Sequence, residues 1–131
     1  MRGNPLVSLA LRCSLVSFVL CSAPLLAHHS NAMYDTTKTI TVTGSVTKWQ
    51  LINPHSALWL EVKNENGAVQ LWAGEFTGTL DLYRKFTWNQ NTFKPGDRVT
   101  IIGNPARNGN PSLMARRVVL ANGTEVDLAG T

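Results

Sequence analysis

Cysteine is nearly absent from this 131-residue chain: there are two, Cys13 and Cys21, and both stand near its beginning. A domain built from the remainder has no disulfide framework and no thiolate for metal binding or nucleophilic attack, so an apolar core must hold it together. Charge is sparse as well. Only 15% of residues are Asp, Glu, Lys or Arg, and once Arg2 and Arg12 are set apart in the N-terminal segment the basic residues exceed the acidic ones by two. No dense Lys/Arg stripe is present, so nucleic acid is not expected as a partner. The chain also lacks a Ser-His-Asp order, a phosphate-cradling glycine loop and a paired-cysteine site, which leaves no recognisable enzyme. Glu75, with Glu61 and Asp81 as companions, could perform acid–base work only in a shared cleft. A simple ion pair with an Arg, or a contact with helix N–H groups, is the expected fate of Glu75.

The one long apolar run, Leu15 to Leu26, is interrupted by Ser17, Ser22 and Pro24 and falls short of the ~20 residues that a spanning helix needs. Preceded by Arg2 and Arg12 and followed by the small Ala27, it has the three parts of a secretory leader. The expectation is a signal peptide over residues 1–27 and a single domain over 28–131 that works in the periplasm or outside the cell. No stable membrane span is expected after cleavage.

From Thr37 onward the pattern is that of β-structure. Ile40, Val42, Gly44 and Val46 alternate with Thr39, Thr41, Thr43 and Ser45, as a half-buried strand requires. The apolar parity then changes at Trp49 and Leu51, which predicts a bulge near Thr47-Lys48. Segments His55 to Lys63 and Ala68 to Phe76 read as a hairpin around Asn64-Glu65-Asn66-Gly67. Pairing Lys63 with Ala68 places Leu58, Leu60, Val62, Val69, Leu71 and Ala73 on the core and sets Trp59 across from Trp72 and His55 across from Phe76. Thr77 to Phe86 reads as a short helix, with Thr77 or Thr79 as N-cap and Leu82 and Phe86 on one side. Strands at Arg98 to Gly103, Leu113 to Leu120 and Glu125 to Leu128 follow. Three strands, one short helix between strands 3 and 4, and further strands give the order of a small OB-fold-like Greek-key barrel, mainly β; an SH3-like barrel is the alternative.

Two clusters carry chemistry. The three histidines fall in two short stretches, His28-His29 and Asn53-Pro54-His55. If the leader is cut after Ala27, His28 offers its α-amine and its ring to one ion, and His29 or His55 adds a further imidazole. Such a nitrogen-rich set suits Cu(II). The bland reading is a solvated terminus and a histidine that decorates a strand. Trp59, Trp72 and Phe76, with Glu75 beside them, form the second cluster, an aromatic ligand face on strands 2 and 3. The competing reading of the same rings is a packing pair covered by the segment around Met33-Tyr34.

Taken together, Ala27-His28-His29-Ser30, Gly44-x-Val46-x-x-Trp49, Asn53-Pro54-His55, Trp72-x-x-Glu75, Lys94-Pro95-Gly96-Asp97-x-Val99 and Gly103-x-Pro105-Ala106-Arg107 resemble the bacterial exported family known as domain-of-unknown-function family 6152. Asn31 stands where such proteins commonly place an aromatic residue, and Thr87-Trp88 where they often carry Gly-Trp. The resemblance implies a periplasmic location and a small β-barrel, and it supplies no activity. The expected function is a non-enzymatic binding module for a small ligand or an envelope protein, with copper at His28, His29 and His55 as its sharpest form. The alternative is an interaction module that docks through the aromatic strand face without metal.

Overall fold

The computed structural model describes residues 31–129. After a 3-10 turn at Asn31–Met33, the elements are β1 (Ile40–Gln50), β2 (Ala57–Lys63), β3 (Val69–Glu75), α1 (Thr79–Phe86), β4 (Arg98–Pro105), β5 (Ser112–Val119) and β6 (Glu125–Asp127). The strands run β3-β2-β1-β4-β5-β6, and a parallel pairing of Ala73–Glu75 with Ser112–Met114 joins β3 to β5. That pairing closes strands 1 to 5 into a barrel of the OB type, with the helix between strands 3 and 4.

β1 pairs with a different neighbour along each half, which its length and bend make possible. Its first half pairs with β4, from Ile40–Gly103 to Ser45–Arg98, and its second half with β2. The register shifts between Val46 and Lys48, so the extra residue falls at Thr47, as the change of apolar parity predicts. A second bulge, between Ile102 and Gly103, leaves Arg116 and Arg117 both exposed. There β4 and β5 approach so closely that a Cβ on Gly103 would lie 2.0 Å from the Met114 carbonyl oxygen.

The hairpin register differs from the sequence expectation by one residue. Asn64 N–H bonds to the Ala68 carbonyl (2.9 Å), and the Asn64 carboxamide accepts the N–H groups of Asn66 (3.0 Å) and Ala68 (2.9 Å). Asn64 is therefore the last paired residue. The loop is Glu65-Asn66-Gly67, three residues ending in Gly67 at φ 78°, a geometry that demands glycine. Lys63 consequently pairs with Val69, Leu60 with Trp72 and Trp59 with Ala73. Every side chain of β3 faces opposite to the expectation. Val69 and Leu71 are exposed, whereas Trp72 packs against the core.

The core gathers Val42, Val46, Leu58, Leu60, Val99, Ile101, Leu113 and Val118 from the strands. Leu82 of α1 is fully buried and Phe86 packs beside it, so the helix plugs one end of the barrel through the predicted i, i+4 pair. Its N-cap is Gly78, not Thr77 or Thr79. The capping atom comes from across the fold: Asn53 Oδ1 accepts the backbone N–H of Thr79 (3.0 Å) and its hydroxyl (3.1 Å). Beneath the helix, Trp49, Phe76, Trp88 and Phe93 meet largely edge to face, with Trp49 and Phe93 centroids 5.0 Å apart and Trp88 and Phe93 5.1 Å apart. Such contacts add to the burial of large rings. The Trp49 indole N–H is satisfied by the Asn89 carbonyl at 2.9 Å.

Candidate functional site

Strand alternation places His55, Ala57 and Glu75 on the outer side of the β2–β3 hairpin. Ala57 pairs directly with Glu75, and the ladder continues past the strand end, with Phe76 N–H on the Ser56 carbonyl (2.8 Å) and Ser56 N–H on the Thr77 carbonyl (3.1 Å). His55 is thus a diagonal neighbour of Glu75, close enough for the ring to reach the carboxylate. Its Nδ1 lies against Glu75 Oε1, and this nitrogen is buried even though a third of the side chain is exposed. Among the described residues Nε2 has no hydrogen-bond or ion-pair partner.

The second oxygen of Glu75 is also used. Tyr34 donates its hydroxyl to Glu75 Oε2 at 2.7 Å, and the Tyr34 ring is buried, 5% exposed. The segment that carries Tyr34 is fastened on both sides. Tyr34 forms a β-bridge with Ala106, Asp35 N–H bonds to the Pro105 carbonyl (2.8 Å), and Arg107 N–H bonds to the Met33 carbonyl (2.9 Å). Asp35 then turns the chain toward β1 by accepting the Thr37 hydroxyl (2.6 Å) and pairing with Lys38 (3.4 Å). Tyr34 therefore reaches the place where β3 and β5 close the barrel.

The electrostatics follow from this placement. Burial pushes the Tyr34 phenol above its ordinary range, and the Glu75 hydrogen bond and negative charge push the same way; a hydrogen bond with Ser112 opposes them. The phenol is held as a neutral donor. Glu75 accepts from the phenol on one oxygen and lies against the imidazole Nδ1 on the other, so a neutral ring with its proton on Nδ1 is the tautomer that this contact favours. The lone pair of Nε2 is then free to bind an electrophile.

The structure unites only part of the site expected from sequence. His55 and Glu75 come together. His28 and His29, like the whole segment expected to be a leader, lie outside the described residues. Among the described residues no group of three or more His, Cys, Asp or Glu side chains is placed to hold a metal ion, and no helix is long and apolar enough to cross a membrane. The aromatic row is not formed. Trp59 faces outward under the Lys48 ammonium, which sits 5.0 Å from the ring centroid. Trp72 faces the other way and donates its indole N–H to Gln70 Oε1 (3.2 Å), while Phe76 is a core residue, 1% exposed. The one-residue register change separates the two tryptophans, so a shared ligand or docking face of Trp59, Trp72 and Phe76 does not exist. Tyr34 was not anticipated as the partner of Glu75. The two are 41 residues apart, and no local pattern joins them.

The model of a protein family described as a family of unknown function (DUF6152) matches residues 16–115. No curated protein matches the chain. Among the solved structures that resemble it are the following two. The mitochondrial single-stranded DNA binding protein Rim1 of S. cerevisiae is 9% identical with a TM-score of 0.46, over 63% of this chain and 92% of that one. The N-terminal domain of the PriB protein from Thermoanaerobacter tencongensis is 19% identical with a TM-score of 0.46, over 64% of this chain and 96% of that one.

Proposed function

The chain belongs to this family of unknown function, and from that premise we propose that it is an exported β-barrel module that binds one copper ion between His55 and the histidines at positions 28 and 29. The observation that carries this reading is the contact of His55 Nδ1 with Glu75. Metal-ligating histidines characteristically give their other ring N–H to a carboxylate, which fixes the tautomer and the ring orientation and raises ligand basicity. His55 Nδ1 lies against such a carboxylate, and Tyr34 in turn holds that carboxylate in place.

The tether supports the same reading. Tyr34 is fixed at Glu75, so His28 and His29 precede a pinned residue by only six and five positions. That length of chain spans at most about 20 Å, a reach compatible with a shared ion at the His55 ring. Cleavage after Ala27 gives His28 a free amine beside its imidazole. Together with His55 Nε2 these nitrogens form a set that favours Cu(II) over the other first-row divalent ions. Glu75 is a positioning residue here: it orients the imidazole and does not touch the ion.

Copper titration of protein beginning at His28, followed by calorimetry and electron paramagnetic resonance, tests the proposal. Nitrogen hyperfine structure is expected. Adding one residue ahead of His28, or making His55→Ala, should weaken binding, and Glu75→Gln should weaken it about tenfold or more. Affinity that is indifferent to both the added residue and His55→Ala refutes the proposal. Mass spectrometry of the exported protein checks the first residue independently.

A further inference from the structure

At the other end of β2 from His55, the outer wall of the barrel holds a cavity of about 200 Å³ lined by Thr43, Gly44, Ser45, Glu61, Lys63 and Arg98. Its layout follows from the register. Ser45 of β1 faces Glu61 on β2 and Arg98 on β4, so one row of side chains, acid, serine and guanidinium, crosses three strands. Lys63 stands two residues along β2 on the same face, and the hydroxyls of Thr43 and Thr100 bond to each other at 2.7 Å beside Ser45. Strand spacing sets the Glu61 and Arg98 backbones about 10 Å apart with only a serine between them. Among the described residues the side chains of Glu61, Lys63 and Arg98 have no ion-pair or hydrogen-bond partner. Three charged side chains therefore line a concavity beside the hydroxyls of Thr43 and Ser45 and form no ion pair with one another, an arrangement that can meet a small molecule carrying charges of both signs.

We infer that this cavity binds a small acidic amino acid, a ligand with two carboxylates and one ammonium group. Arg98 takes one carboxylate through its planar fork, Lys63 takes the other as a point charge, and Glu61 takes the ammonium. The count of charges selects this class. A plain dicarboxylate meets repulsion from Glu61, and a neutral amino acid leaves one of the two cations unused. Ser45 stands between Glu61 and Arg98, and its hydroxyl can donate to a carboxylate or accept from the ammonium.

Backbone amide NMR of the protein, titrated at low ionic strength with glutamate, glycine and succinate, tests the inference. Glutamate is expected to shift the amides of Thr43 to Ser45 and Glu61 to Lys63, and to bind about tenfold or more tightly than either of the others. Arg98→Gln should cost about tenfold in glutamate affinity. Glu61→Gln should reverse the preference, so that succinate overtakes glutamate. All three charged side chains are exposed, and unchanged resonances elsewhere confirm that the variants fold. Absence of any shift at these amides overturns the inference. So does succinate binding as tightly as glutamate to the unmodified protein, or an unchanged ligand order in Glu61→Gln.

Discussion

Replacing Tyr34 by Phe keeps the ring and removes one atom, the hydroxyl that donates to Glu75 Oε2 at 2.7 Å. A hydrogen bond to a charged group contributes about 1.5–3 kcal/mol. The lower end applies, because Glu75 is about a quarter exposed and water can replace part of what the phenol supplied. A loss near 1.5 kcal/mol lowers the Tm of a domain this size by roughly 6–10 °C. The pH dependence is the sharper signature. With its titration raised in the folded chain, Tyr34 remains protonated where an unfolded tyrosine, near pH 10, has begun to ionise. The folded state then binds more protons than the unfolded one, and stability falls as pH rises. This contribution is complete below about pH 10 and is lost as the pH climbs toward the folded-state value. The stability gap between the native protein and Tyr34→Phe should therefore shrink above that point. Urea unfolding followed by circular dichroism, from neutral pH to about pH 11, measures it. A gap that is absent at neutral pH, or that stays constant or widens in alkali, would refute the Tyr34–Glu75 assignment. A double-mutant cycle with Glu75→Gln should also return a coupling of about 0.5 kcal/mol or more.

Two further substitutions probe the frame that carries the site. Gly103→Ala puts a Cβ into the Met114 carbonyl, a backbone atom that cannot swing aside, and should cost about 3 kcal/mol, the upper end for overpacking; a urea midpoint within error of the native one would refute the close approach of β4 and β5. Asn53→Ala removes the acceptor of Thr79 N–H and hydroxyl and should cost about 1 kcal/mol. Faster amide hydrogen exchange at Thr79 is the accompanying readout, and unchanged exchange there would show that the cap is not formed by Asn53.

Much of the fold was legible because it depends on local chemistry. The run of β-branched residues from Ile40, the change of parity after Val46 and the glycine at position 67 each specify one local conformation. The Leu82 and Phe86 spacing likewise selects one face of a short helix. The register of β3 was not legible. Val69, Leu71 and Ala73 offer one apolar stripe, and Trp72, Gly74 and Phe76 offer another, so alternation alone permits both faces. The choice falls to the Asn64 side chain, which shortens the loop to three residues, and to packing: Ile101 Cδ1 occupies the space where a side chain on Gly74 would stand. The same choice removes the expected aromatic face and sends Phe76 into the core.

A small, disulfide-free, mainly β domain, with His55 and Glu75 as residues that could do chemistry, follows from composition, alternation and turn geometry alone. Their meeting is a tertiary event. Only a closed barrel brings β3 beside β5, seats the phenol of Tyr34 on a carboxylate 41 residues away and leaves one nitrogen of His55 unclaimed by any described residue. Contacts between distant segments depend on register and closure, and neither is written in the spacing of the residues that make them.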